Sequence, residues 1–428
     1  MLKHGTKYLK FIFFERRRMS SKLHWSRGRS RVILLFLLFF KFIGLATFSL
    51  KTPTVPKKKC SGNVLVFFTG SKLGVFYNLI WSFLIIASNF ITIPILNDID
   101  YAFKTIITQI FEISQVLMGS FVISWILVFY CINEAAFVKV GNYIICLEGA
   151  LCRLQKPLNW KHIFYVLFFI YLLLLGLFVA LLITEIICFS NFISIIADIL
   201  PITFMGFFFI QYFSLVTLTN AISVNVNCAI QDLGRAKFNN TAFDQARHMF
   251  ISSSKIHLVV QIRDIHDQLY DISNEISRIY SLPTLVALPF TFYVLLYNVY
   301  YLFELIAVQN VAANFLILIN SLLWIICILY PLGLLTFKIT KATNEIQKTG
   351  NLVHTLLKYT IDRQIKEELL HRKIKFTANG YFTLDNMFFK SVSKKWLILS
   401  TVITYMVILL QFQVGKSNTC PCNCTQSL

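Results

Sequence analysis

The sequence predicts an all-α membrane protein with seven transmembrane helices, its N-terminus cytoplasmic and its C-terminus extracellular. Three observations carry this: the apolar fraction, the number of long apolar runs, and the one-sided placement of basic residues between them. Of 428 residues, 57% are apolar and 14% charged, where soluble domains average about 45–50% and about 25%. A soluble fold of this size must keep its surface wet and cannot hide so much apolar area. The same figures exclude collagen, coiled-coil, disordered and disulfide-scaffold classes.

A helix that crosses the hydrocarbon core needs roughly 20 mostly apolar residues. Seven stretches meet that length: 74–96, 112–132, 163–190, 195–222, 284–308, 314–337 and 396–414. Polar residues bound each of them, and Pro201 and Pro283 stand near the starts of the fourth and fifth. An eighth run, 32–50, is interrupted by Lys41. It differs from a secretory signal, because its basic flank is long and no small-x-small cleavage site follows.

Basic residues outnumber acidic ones 40 to 20, a net charge of +20. On a soluble chain that excess points to nucleic acid; between apolar runs it reads first as topology. With seven spans and the N-terminus inside, 38 of the 40 Lys and Arg fall on the cytoplasmic side, leaving only Lys104 and Lys416 outside. Were 32–50 also a span, one of the basic clusters flanking it would lie outside. That run is therefore expected as a helix at the inner interface, with Lys41 snorkelling.

The chain then divides into a cytoplasmic N-terminal region (1–73), a six-helix region (74–337) with a cytoplasmic helical loop (223–283), a cytoplasmic anchor (338–395), the seventh helix (396–414) and an outer tail (415–428). Within the first of those loops, Leu258, Ile262, Ile265, Leu269, Ile272, Ile276 and Ile279 recur at steps of four and three. Charges at Arg263, Asp264, Asp267, Asp271 and Glu275 take the other faces. This is an amphipathic helix. A looser version runs through Leu352, Val353, Leu356, Ile361, Ile365 and Leu369. Two coverings suit such seams: neighbouring subunits, or the rest of the same chain.

The last span ends Thr404-Tyr405-Met406-Val407-Ile408-Leu409-Leu410-Gln411-Phe412. Upstream stand Gly380-Tyr381-Phe382 and Asp385. Together these resemble the Thr-Tyr, five apolar, Gln-Phe signature and the preceding Gly-aromatic-Phe…Asp stretch of insect gustatory receptors. The resemblance is specific over roughly 376–413 and elsewhere rests on architecture. It implies a ligand-gated cation channel, a homo- or heterotetramer with other gustatory receptors. The final helices would line a shared pore, cytoplasmic helices would form the anchor between subunits, and a tastant pocket would lie among the outer halves of the other spans.

Ser400, Thr404, Ile408 and Gln411 share one helical face. Hydroxyl, hydroxyl, apolar and amide groups suit a path for partly hydrated cations, with Ile408 as an apolar gate and Gln411 near the outer mouth. On residue chemistry alone, Thr404 bonding its own helix and Gln411 bonding a neighbour fit equally well. Tyr405 reads as a packing residue.

Ionisable groups within spans are costly unless paired or wetted, which makes them functional candidates. Glu185, Asp198 and Glu304 occur in outer portions; Tyr297, Asn298, Tyr300 and Tyr301 accompany Glu304, and Asn320 and Trp324 lie about two turns into the sixth span. Aromatics with a few amides and carboxylates suit a small-molecule cleft, for a sugar or for a bitter compound attracted by cation–π contact. Packing and interfacial roles compete at each position. In the tail, Cys420, Cys422 and Cys424 leave one over if paired, with Cys188 a candidate partner and an unpaired tail equally open. Asn423-Cys424-Thr425 is a glycosylation sequon on the outer side.

Enzyme motifs fail inspection. Gly415-Lys416-Ser417 mimics the end of a phosphate loop, but Leu410 stands where its first glycine must be. No metal or cofactor is expected. The sequence thus points to a tastant-gated, non-selective cation channel, multi-pass in the plasma membrane of gustatory neurons. Its partners would be a tastant, sister subunits and lipid, not nucleic acid. A G-protein-coupled receptor and a secondary transporter are the rivals.

Overall fold

The computed structural model describes residues 36–51, 67–98, 106–189, 192–238, 247–308, 315–358, 377–378 and 382–383. Helix α1 (36–43) precedes strands β1 (Phe48–Lys51) and β2 (Phe67–Gly70), which pair antiparallel with Phe48 opposite Gly70. Then come α2 (Lys72–Asp98), α3 (Ile106–Ile132), α4 (Glu134–Arg153), α5 (Trp160–Phe189), α6 (Phe192–Phe238), α7 (Arg247–Val308) and α8 (Phe315–Lys358). Short strands β3 (Thr377–Ala378) and β4 (Phe382–Thr383) pair with each other.

Seven of these helices, α2 to α8, are long and apolar enough to cross a membrane. Six match the first six expected spans; the expected span 396–414 lies outside the described residues. Helices α6, α7 and α8, with 47, 62 and 44 residues, are about 70, 90 and 65 Å long at 1.5 Å per residue. A hydrocarbon core of ~30 Å leaves each of them projecting. The bundle therefore has an extended end, where these helices run on, and an opposite end of short connections.

Helix α4 lies between the second and third expected spans, 112–132 and 163–190, where the sequence predicts no span. It begins after Asn133, beside Tyr130, whose ring stacks on Phe137 at 4.4 Å. It finishes just before Lys156, whose carbonyl accepts from Asn225 Nδ2 at 3.3 Å and whose ammonium meets Asp232 at 2.6 Å. Both its ends thus lie at the extended end, so α4 leaves α3 and returns to α5 without crossing the bundle. Its charged face explains this: Lys139 pairs with Glu275 of α7 at 3.7 Å, and Glu134 accepts from Ser71 N.

Helix α6 is the centre, packed on α2, α3, α4, α5, α7 and α8. Its run Phe207–Phe208–Phe209–Ile210 and Tyr212–Phe213 is buried throughout. No face is left for water or lipid. Helices α2 and α5 show the reverse, with Phe83, Phe90, Phe169, Leu172, Leu173 and Ile187 exposed, which is the composition of a lipid-facing wall. At Gly119 three helices approach closely, since a Cβ on α3 there would stand 2.7 Å from Pro201 of α6 and 3.2 Å from Phe290 of α7.

The N-terminal run departs from the interfacial helix expected over 32–50. Its described helix stops at residue 43, Gly44 turns the chain with φ +93°, and Leu45, Ala46 and Thr47 are buried inside the bundle. Polar side chains waiting there explain why the backbone can enter. Tyr77 Oη donates to Phe42 O at 2.6 Å, Asn78 Nδ2 to Gly44 O at 2.7 Å, and Gln211 Nε2 to Leu45 O at 2.8 Å. Gln211 in turn accepts from Tyr130 Oη at 2.6 Å. Lys41 does not snorkel outward but reaches Ser49 and Ser71 Oγ at 3.1 and 3.4 Å.

The chain leaves the bundle through the β1–β2 ribbon, which Asn142 of α4 clamps by accepting from Phe68 N at 2.9 Å and donating to Phe68 O at 3.1 Å. Two partly buried hydrogen bonds at a free sheet edge are worth about 1–2 kcal/mol. Asn142→Ala should therefore cost that much, read as a lower thermal midpoint of the purified protein, and Asn142→Leu should not recover it. Recovery by leucine would show that packing, not the paired bonds, holds the ribbon.

The amphipathic seam of α7 is covered by its own chain. Ile262, Ile265, Leu269, Ile272, Ile276 and Ile279 are all buried, on a helix that packs against α3, α4, α6, α8 and β3. Of the two coverings open to the sequence, the chain itself supplies the one seen. The second seam, beyond Leu352, lies outside the described side chains.

Candidate ligand-binding site

At the end of the bundle opposite the extensions, polar residues from five helices converge. Glu185 sits one turn from the end of α5, Asn320 and Trp324 one turn apart near the start of α8. Asn320 Nδ2 donates to Glu185 Oε1 at 3.0 Å, and Trp324 Nε1 donates to the same carboxylate. Thr184 Oγ1 closes the cluster on Asn320 Oδ1 at 2.7 Å. A carboxylate in an apolar bundle needs such donors, and the one-turn spacing of Asn320 and Trp324 delivers two from one helix face.

Asp198 lies within the first two turns of α6 and receives Gln115 Nε2 of α3 at 3.5 Å. One turn before Gln115 stands Glu112, which accepts from Tyr297 Oη of α7 at 3.2 Å. Phe111 stacks on Tyr297 and Tyr300 at 5.6 and 6.3 Å and meets Tyr293 at a tilt at 5.5 Å. Glu112 lies near enough to both Glu185 and Asp198 for their charges to act on one another. Three carboxyl groups, two amides, an indole and a tyrosine ladder therefore share one end of the bundle.

Of the residues singled out in the sequence, Glu185, Asp198, Asn320, Trp324 and Tyr297 come together here. Tyr301 joins through its ring, 6.3 Å from Tyr297. Asn298 is buried and donates to Val294 O of its own helix at 2.8 Å, so it serves α7 rather than the cluster. The side chain of Glu304 lies outside the described residues. So do Ser400, Thr404, Tyr405, Ile408, Gln411, Phe412, Gly380, Asp385 and the sequon Asn423.

Glu112 and Gln115 were missed. Glu112 opens the second apolar run and reads there as a boundary residue in headgroup water. The signal that finds it is its one-turn pairing with Gln115, which puts both on one face. Among the described residues, no group of three His, Cys, Asp or Glu has the arrangement of a metal site.

Comparison with known proteins places this geometry. The sequence pattern of the 7tm chemosensory receptor family matches residues 33–415. The chain is 23% identical over 433 aligned positions to a Drosophila melanogaster protein assigned as gustatory receptor 28a, covering 88% of this chain and 90% of that one. To the protein assigned as gustatory receptor 28b of the same fly it is 22% identical over 182 residues, 40% of this chain and 37% of that one. The latter match thus spans well under half of its relative's length. The fold is similar to that of the olfactory receptor OR5 of Machilis hrabei, with a TM-score of 0.56 at 14% identity over 89% of this chain and 99% of that one. The same receptor in complex with eugenol gives a TM-score of 0.53.

Proposed function

The chain belongs to the 7tm chemosensory receptor family, and from that premise we propose that it is a gustatory receptor: a tetrameric, non-selective cation channel that a small-molecule tastant opens. The observation that carries this reading is the polar cluster of Glu112, Gln115, Glu185, Asp198, Asn320 and Trp324 at one end of an otherwise apolar bundle. Buried ionisable groups are expensive in a membrane protein that does not use them. The relatives assigned as gustatory receptors and the fold shared with an olfactory receptor seen with eugenol support the same reading.

In this reading the extended end is cytoplasmic, where the basic residues collect, and the cluster opens outward. A seventh crossing, 396–414, puts the C-terminus outside and lines the pore shared by four subunits. Its Ser400, Thr404, Ile408 and Gln411 face the ions, and Asn423 beyond it accepts sugar. The other family-signature residues, Tyr405, Phe412, Gly380 and Asp385, pack that helix and its approach. Helix α8 continues from Asn320 to Lys358 with Pro331 inside it, so a ligand that repositions Asn320 and Trp324 acts on the cytoplasmic extension across that proline. The ligand opens the channel only by the amount it binds the open state better.

The test is cation current from cells expressing the chain during exposure to a panel of sugars and bitter compounds. Steps of single-channel size support the channel; stoichiometric uptake of the tastant without them supports a transporter. An N-terminal tag labelled on intact cells would favour a G-protein-coupled receptor. Gln411→Ala should change conductance or ion selectivity at unchanged surface expression. Unaltered permeation in that variant removes Gln411 from the pore.

A further inference from the structure

The chemistry of the cluster says which kind of ligand it suits, an inference that rests on the ligand site proposed above. Among the described residues, the neighbouring charges that bear on Glu185 and Asp198 are negative: Glu112 beside both, and Glu185 beside Asp198. Among the described residues neither carboxylate has a Lys, Arg or His ion pair; those present join Lys139 and Arg278 to Glu275, and Lys156 to Asp232. Neutral donors reach the cluster carboxylates from Asn320, Trp324, Tyr297 and Gln115.

A second, independent observation points the same way. Gln115 is only 3% exposed, its amide nitrogen is turned to Asp198, and its Oε1 has no hydrogen-bond partner. A buried amide oxygen normally finds a donor. Here it stands beside Asp198 in a cluster rich in acceptors, so what it lacks is a donor, and the neighbouring carboxyls favour one that carries positive charge.

We propose that the site takes an organic ammonium ligand. Its N–H groups meet Asp198, Glu185 and Gln115 Oε1, and its apolar body lies against Trp324 and the Phe111–Tyr297 stack. A neutral sugar brings as many acceptors as donors and offers Glu185 and Asp198 no opposite charge. A bare metal ion needs oxygens converged on one point, an arrangement the described residues lack. A polyatomic cation bridges carboxyls that are spaced apart.

The experiment is calorimetric binding to the full-length receptor in nanodiscs, with no current required. The probes are phenethylammonium and 3-phenylpropylammonium, each against its alcohol, 2-phenylethanol and 3-phenylpropan-1-ol. Each ammonium should bind about tenfold or more tighter than its alcohol. In the double variant Glu185→Gln, Asp198→Asn the preference should fall to about twofold or less. Gln115→Leu, which keeps every carboxylate, should weaken the ammoniums and spare the alcohols, and it replaces the double variant if that one does not fold. Alcohols binding as tightly, a preference that survives the substitutions, or no ammonium binding by about 1 mM overturns the assignment. A receptor that prefers ammoniums yet passes no current leaves this site standing and sinks the channel. A receptor that conducts with other tastants and ignores ammoniums does the opposite.

Discussion

Gly44→Val should lower the stability of the purified receptor by about 3–5 kcal/mol, read as a fall in thermal midpoint and loss of monodisperse protein. Two separate penalties add. At φ +93° a β-branched residue is strained whatever the space. A Cβ there would also stand 2.6 Å from Leu127 Cδ2 and 3.1 Å from Asn78 Oδ1. Leu127 is fully buried, and Asn78 is the residue that satisfies Gly44 O, so neither can yield without a further loss. The penalties separate in a double-substitution cycle: Leu127→Ala should relieve part of the cost of Gly44→Ala by removing the overlap, and leave the backbone strain. A valine variant as stable as the parent would mean that the N-terminal segment does not enter the bundle at this turn.

Ile276→Asp should be as damaging, about 4 kcal/mol or more, with little folded protein recovered. Ile276 is fully buried in the seam of α7, among neighbours supplied by the same chain. An aspartate there is an unpaired charge in an apolar layer, and no rotamer carries it to water. The test discriminates between the two coverings the sequence left open. If subunit neighbours covered this face, the variant would fold as a stable protomer and fail only to assemble. With the face covered from within, single-chain thermal stability itself falls, in detergent at any protein concentration. Ile276→Val, which keeps the shape and removes one methyl, should cost only about 1 kcal/mol.

Much of this was legible in the residues. Apolar runs of span length, the basic bias of the connections and the Thr404–Phe412 signature pointed to the family, whose pattern covers 33–415. Glu185, Asp198, Asn320, Trp324 and Tyr297 were legible because each is a polar group in an otherwise apolar run. Glu112 was not, because an acidic residue at the edge of a run looks like any solvated boundary. Helix α4 was not, because its apolar residues alternate with Glu134, Lys139 and Glu148 and its partners are distant in sequence.

The sequence by itself determined that the chain is a multi-span membrane protein, where the first six expected spans fall, and which face of α7 must be covered. These are properties of local runs and periods, which composition and spacing encode directly. Only the tertiary structure decided what covers that face, that residues 45–47 turn into the bundle instead of lying on it, and that carboxyls from α3, α5 and α6 meet. Those outcomes are set by which side chains from separate helices arrive together, such as Gln211 beneath Leu45 and Gln115 beside Asp198. One helix carries no record of its neighbours' registers, so that information exists only in the packed molecule.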